Sequence, residues 1–242
     1  MKPTILITRA LEHALPTQKD VQALGCDTVI DALLTIAPIA NDQPISATTG
    51  ALIITSRNAL LGLKTLQNIA ELPLFVVGKE SAALCSAAGF KKIIAVAEQS
   101  ADLPRLIKLA QSPHAGALLH VTSQYAHTDF YDALLDAGFG IEQRLVYSAD
   151  AATSFNAETI HALRDGKLWG VLFYSARTAE IFNALVIAAG LAQSLSKLHA
   201  LCLSDAITET LDKGAWKTVA VAQSPTHASL METLRVYLAK NV

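Results

Sequence analysis

Apolar residues run in short blocks along this chain, separated by longer stretches in which small, polar and charged residues mix with leucine and alanine. Ile5-Leu6-Ile7, Leu52-Ile53-Ile54, Leu74-Phe75-Val76-Val77, Val171-Leu172-Phe173 and Ala200-Leu201-Cys202-Leu203 show no in–out alternation. A strand buried on both faces reads this way, and such strands belong to parallel sheets covered by helices. Several of the intervening stretches have helical length and stop at glycine, at Gly25, Gly89 and Gly138.

Strands are expected at 4–8, 27–31, 51–55, 74–77, 92–96, 117–122, 171–174, 200–203 and 218–222. Two further extended runs, 33–39 and 142–148, lack a helix of their own, and Pro38 keeps the first from turning helical. Helices are expected over 12–24, with Pro16 in the first turn, and over 58–69, 101–110, 129–137, 156–164, 176–189 and 206–213. Ser100 reads as an N-cap, and so does Ser224, with Pro225 at the first position of a C-terminal helix. Residues 41–49 are rich in turn formers and read as a loop or short helix. Strand–helix alternation with short connections is the mark of an α/β protein.

Parts of the chain copy one another. Leu52-Ile53-Ile54-Thr55-Ser56 resembles Val171-Leu172-Phe173-Tyr174-Ser175, matching Ser56 with Ser175 at a spacing of 119 residues. Gln99-Ser100 matches Gln223-Ser224 at 124, and Thr8 matches Thr122 at 114. The order is a two-strand piece, a three-strand piece, then each again. Either neighbouring pieces fold together, or the middle two form one domain and the two ends the other. The extended runs at matching places favour the second arrangement: a chain that leaves one domain, builds another and returns. The expected division is 1–33 plus 151–242 for the discontinuous domain and 40–143 for the inserted one, with linkers 34–39 and 144–150.

Ligands of open α/β sheets bind beyond the carboxyl ends of the strands. There the sequence places Thr8 and Arg9, then Thr55, Ser56, Arg57 and Asn58, then Gly78 to Ser81, and Ser123. The later strands add Ser175, Arg177, Ser204 and Ser224. Hydroxyls, cations and helix starts with few acids suit carboxylates or phosphates, although each Ser or Thr is equally at home as a helix cap. Ser56 and Ser175 are expected to face each other across a cleft. Tyr147 lies in the second linker, where a phenol with an ordinary pKa of about 10 would be a protonated donor at neutral pH; packing between domains is the plain alternative.

Several chemistries lack their residues. The chain has no G-x-G-x-x-G after its first strand, no phosphate-binding G-x-x-x-x-G-K-[ST], no H-E-x-x-H and no C-x-x-C. Ser175 lacks a nucleophile-elbow motif. The seven histidines are scattered, and surface or loop roles are favoured for His127 and His227. Cys26, Cys85 and Cys202 are isolated in apolar surroundings and read as buried free thiols.

Across its 242 residues the chain is 52% hydrophobic but only 6% aromatic, with a formal charge of −2. It has no basic field for nucleic acid. No apolar stretch nears the ~20 residues that span a bilayer, so a cytoplasmic protein without membrane contact is expected.

Taken in order, Ile5-Leu6-Ile7-Thr8-Arg9, Ile54-Thr55-Ser56-Arg57-Asn58-Ala59, Val76-Val77-Gly78-Lys79-Glu80-Ser81-Ala82, Tyr147, Phe173-Tyr174-Ser175-Ala176-Arg177-Thr178-Ala179 and Gln223-Ser224-Pro225-Thr226 resemble the uroporphyrinogen-III synthase family over the whole chain. The resemblance implies an α/β fold of two flavodoxin-like parallel-sheet domains joined by two extended linkers. It implies closure of the linear tetrapyrrole hydroxymethylbilane, which carries eight carboxylates, with inversion of ring D and loss of water, in haem biosynthesis. No metal or cofactor is implied. A monomer is implied, touching the preceding pathway enzyme transiently at most. By the same resemblance Tyr147 assists departure of the hydroxyl, and Thr55, Ser56, Ser81 and Ser175 line the substrate. Asn58 stands where some members have Arg, and Asp205 would repel a carboxylate beside Ser204. A different class of reading is a non-enzymatic two-domain binding protein that closes on a small anionic ligand.

Overall fold

The computed structural model describes residues 2–40, 43–63, 69–126 and 128–241. His127 and the middle of the helix expected over 58–69 lie outside the described residues. The chain forms two compact units, one from residues 1–35 and 150–242 and the other from 36–149.

In the first unit, β1 (Thr4–Ile7), β2 (Asp27–Ile30), β10 (Leu168–Phe173), β11 (His199–Cys202) and β12 (Thr218–Val221) make one parallel sheet in the order β12-β11-β10-β1-β2. Adjacent residues on a strand point to opposite faces, which divides the core. Ile5, Ile7, Leu172 and Leu201 pack under α1 (Leu11–Ala23) and α9 (His227–Asn241) through Ala14, Val21, Leu230 and Leu234. Leu6, Val171 and Phe173 pack on the other face with Ala162 and Leu163 of α6 (Ala157–Arg164) and Phe182 and Val186 of α7 (Ala176–Ala188). Both faces are covered, hence the unbroken apolar blocks in the sequence.

In the second unit, β4 (Thr49–Ile54), β5 (Leu74–Val77), β6 (Ile93–Ala97), β7 (Ala117–Thr122) and β8 (Ile141–Leu145) lie in the order β6-β5-β4-β7-β8, again parallel. Leu52, Ile54, Leu119 and Val121 face α2 (Ala59–Leu63) and α3 (Lys79–Ala87). Ile53, Phe75 and Leu118 face α4 (Leu103–Ala110) and α5 (Tyr131–Leu135). Gly62 lies on the carbonyl of Val146 so closely that a Cβ there would stand 1.8 Å from the oxygen.

The two sheets are the same arrangement traced in a different chain order. With β4, β5, β6, β7 and β8 set against β10, β11, β12, β1 and β2, their neighbours coincide. Register fixes the correspondence. Ile7 pairs with Leu172 and Ile30, and His120 pairs with Ile53 and Gln143. His120 thus stands where the first unit has Ile7, and Thr55 where it has Tyr174. Within the strands this sets an offset of 113 residues (120 − 7), while Thr8, beyond β1, still matches Thr122 at 114, since their carbonyls accept the N–H groups of Leu33 and Val146.

The extended runs become β3 (Leu34–Pro38) and β9 (Tyr147–Ala151), which pair as a two-stranded sheet. The run expected over 142–148 is split between β8 and β9. The ends of the ribbon mirror each other: Leu33 N–H donates to Thr8 O and Ala152 N–H to Leu33 O, while Val146 N–H donates to Thr122 O and Ile39 N–H to Val146 O.

Helix ends depart most from expectation. Pro16 is the sixth residue of α1, not part of its first turn; it is exposed, so water can reach the carbonyl left without a donor. The helix expected over 206–213 is only α8 (Asp205–Thr208), because Thr208 and Thr210 hydroxyls capture the carbonyls of Asp205 and Ile207. Gln99, not Ser100, caps the turn before α4, in a reciprocal box with Asp102. At α9, Pro225 precedes the helix, and Thr226 Oγ1 accepts the Ser229 N–H.

Candidate active site

Each unit brings part of the expected donor set to the carboxyl end of its sheet. In the first, Ser175 is the N-cap of α7: its hydroxyl accepts the Thr178 N–H at 3.2 Å and shares a 2.7 Å hydrogen bond with Thr178 Oγ1. No base stands among those partners, so the geometry is that of a cap and anion donor, not a nucleophile. Arg177, the second residue of α7, is half-buried. Thr8 is wholly buried and donates to the Leu172 carbonyl at 2.9 Å, so its hydroxyl joins β1 to β10. Arg9 lies 3.8 Å over the Tyr174 ring and donates to Thr17 Oγ1. Tyr174 Oη is 2.7 Å from His227 Nδ1, whose Nε2 is 2.8 Å from Asp20. Ser204 has the extended backbone of an N-cap without a side-chain cap bond. Ser224 is exposed and lies 3.3 Å from Thr226 Oγ1.

In the second unit, Ser56 Oγ accepts the Asn58 N–H at 3.2 Å, and both residues are half-buried ahead of α2. Arg57 is paired with Glu80 at 2.6 Å, which spends it on a surface ion pair. Ser81 sits buried in the first turn of α3, after Gly78 with φ of +85°. Ser123 is buried, its hydroxyl accepting the Tyr125 N–H. Thr55 is 2.9 Å from His120 Nε2, and His120 Nδ1 is 2.6 Å from Tyr131 Oη. Burial pushes His120 down to about 4 and Tyr131 up to about 12. Neither His120 nor Tyr131 was expected from sequence; the one signal was a polar residue inside an otherwise apolar strand.

Tyr147 opens β9 and is 6% exposed, in the same apolar cluster as Ile54, Val121, Val146 and Ala149. Its ring thus belongs to the core of the second unit.

The sequence model of the uroporphyrinogen-III synthase family (HEM4, HemD) matches residues 16–232. The chain belongs to the uroporphyrinogen-III synthase family. It is thereby placed among the cyclising lyases of haem biosynthesis. No curated protein matches it in sequence. Among solved structures, the uroporphyrinogen-III synthetase of Helicobacter pylori 26695 is similar with a TM-score of 0.67 at 17% identity, over 98% of this chain and 100% of that one. A mutant uroporphyrinogen III synthase of Thermus thermophilus gives 0.63 at 13% identity, over 99% and 100%. At such identities the likeness is one of fold.

Among the described residues no three His, Cys, Asp or Glu side chains gather as metal ligands, and no helix is long and apolar enough to cross a membrane. The three cysteines are free and buried. Burial raises the Cys85 thiol to about 11 and Cys202 to about 12, which leaves them unreactive.

Proposed function

We propose that this chain closes hydroxymethylbilane to uroporphyrinogen III, inverting ring D and releasing water. The observation that carries the reading is the family match across residues 16–232, nearly the whole chain. The substrate's carboxylates call for many donors rather than one strong base. The N-terminus of α7 behind Ser175 and that of α3 behind Gly78 supply backbone N–H groups and the positive ends of helix dipoles. Ser56 and Thr55 add hydroxyls at the end of β4.

In this reading water leaves the hydroxymethyl group of ring A, ring D attacks the resulting azafulvene to form a spiro intermediate, and that intermediate rearranges. The bilane also closes unaided to the uninverted isomer. The protein therefore has to favour one transition state over another, and a ~100-fold preference needs only about 2.7 kcal/mol. Tyr147 is assigned as the donor that assists departure of the hydroxyl. The working state is a cytoplasmic monomer.

The test is incubation with hydroxymethylbilane, oxidation of the products, and separation of isomers I and III. Isomer III in excess over the unaided reaction is expected; isomer I alone would sink the reading. Tyr147→Phe should lower the rate of isomer III formation about 10-fold or more with the fold intact, and unchanged turnover removes Tyr147 from the mechanism.

A further inference from the structure

Three side chains from three elements stand in line at the carboxyl end of the second sheet. Thr55 follows β4, His120 lies in β7, and Tyr131 opens α5. Thr55 Oγ1 and Tyr131 Oη lie 2.9 and 2.6 Å from opposite nitrogens of the His120 ring. That ring is fully buried, with Phe130 and Tyr131 meeting it edge-on. The place is not arbitrary. The chain passes from β4 to β5 on one side and from β7 to β8 on the other, so β4 and β7 flank the point where the strand order reverses. Open parallel sheets bind their ligands there.

A neutral imidazole donates from one nitrogen and accepts at the other, so the line has two arrangements of hydrogens. In the first, Tyr131 donates to Nδ1, Nε2–H donates to the Thr55 oxygen, and the Thr55 hydrogen is left pointing away from the ring. In the second every bond is reversed, and Thr55 spends its hydrogen on Nε2. A phenol is a stronger acid than an aliphatic alcohol and so the better donor, which selects the first. Burial holds both His120 and Tyr131 neutral at physiological pH, so neither arrangement is replaced by an imidazolium or a phenolate.

We propose that Tyr131 and His120 are positioning residues that fix the Thr55 hydroxyl as a hydrogen-bond donor to a carboxylate of the tetrapyrrole substrate. The substrate's identity rests on the family reading above; the direction of the hydrogen-bond line does not. The selection is local to this unit, since the first carries Ile7 and Tyr174 at the two corresponding places.

The experiment has two arms. Nitrogen-15 NMR of the histidine-labelled protein at pH 7 should show His120 protonated at Nε2 and bare at Nδ1. The opposite tautomer, or an imidazolium, overturns the proposal. In kinetics, Thr55→Val should raise KM about 10- to 100-fold, the worth of a hydrogen bond to a charged group, with kcat changed less than about 3-fold, and Thr55→Ser should restore KM. Tyr131→Phe keeps the ring but removes the donor; it should raise KM about 3- to 10-fold and shift His120 toward a mixture of tautomers. In the Thr55→Val background Tyr131→Phe should add nothing, because Tyr131 acts only through Thr55. Independent, multiplying effects on KM would overturn the proposal. Should Tyr131→Phe fail to fold, the wild-type spectrum and the Thr55→Ser rescue still decide. A protein that forms no isomer III refutes the proposed activity, while the tautomer still reports on the line itself.

Discussion

The two sheets share one arrangement of strands and differ at the point where a ligand would meet it. In the first unit the corresponding pair is Ile7 and Tyr174; in the second it is His120 and Thr55. Tyr174 is long and reaches outward, under Arg9 and on to His227 and Asp20, a network of charged and half-exposed groups. Thr55 is short and reaches inward to an imidazole sealed from water. Topology therefore places corresponding residues at the two sheet ends, and the neighbouring helix decides what stands behind them. Where α9 supplies His227, the group behind Tyr174 is half-exposed. Where α5 supplies Tyr131, the imidazole between it and Thr55 is fully buried.

The largest separation between the two should come from truncation. Tyr174→Ala removes a ring, its hydroxyl bond and the Arg9 contact together, and should cost the first unit about 2–3 kcal/mol. Thr55→Ala removes only a hydroxyl and a methyl and should cost the second unit about 1 kcal/mol. Hydrogen exchange resolved by unit measures both, and equal costs would erase the distinction.

Acid comes next. His120 is held near 4 against an unfolded value of about 6.5. Between those values the unfolded chain takes up a proton that the folded chain refuses. Its contribution is whole above about pH 6.5 and is lost as the pH falls toward 4, by about 1–3 kcal/mol. His199, held near 4 by burial and by Lys217, gives the first unit a softening of the same sign. The His120→Ile variant, which carries the first unit's residue at that place, should lose the acid softening of the second unit alone, and at pH 7 should be within about 1–2 kcal/mol of wild type. The smallest effect belongs to Asp20→Asn. Its exposed pair with His227 is worth under about 1 kcal/mol and should fade in high salt.

Much of this fold was legible because strands buried on both faces leave unbroken apolar blocks, and because the repeats at Ser56 and Ser175 preserve a strand–helix turn. The register was less so. Thr8 and Thr122 match in sequence and at the ribbon ends, yet within the strands the pleat sets His120 against Ile7, a one-residue change of offset that only pairing partners reveal. Helix ends are least legible where side chains compete with the backbone, as Thr208 and Thr210 do. At the candidate site, hydroxyl positions were visible but their partners were not: Thr8 spends its hydroxyl on a strand 164 residues away. His120 escapes notice because a lone histidine in an apolar strand carries no motif, and its partners Thr55 and Tyr131 come from other elements.

The split first unit has a consequence for how the protein is made. The second unit is one continuous stretch, whereas β1 and β2 have no sheet to join until β10 to β12 exist. At ribosomal speeds of about 5–20 residues per second, the chain from residue 150 onward takes roughly 5–20 s to emerge. Throughout that time β1 and β2 are exposed strands without a finished sheet, open to wrong partners and to chaperones. A nascent chain arrested once residue 149 has cleared the ribosomal exit tunnel should therefore yield a protease-resistant core from 36–149 while α1 is cut, and assembly of the first unit should wait on β12 to leave the ribosome.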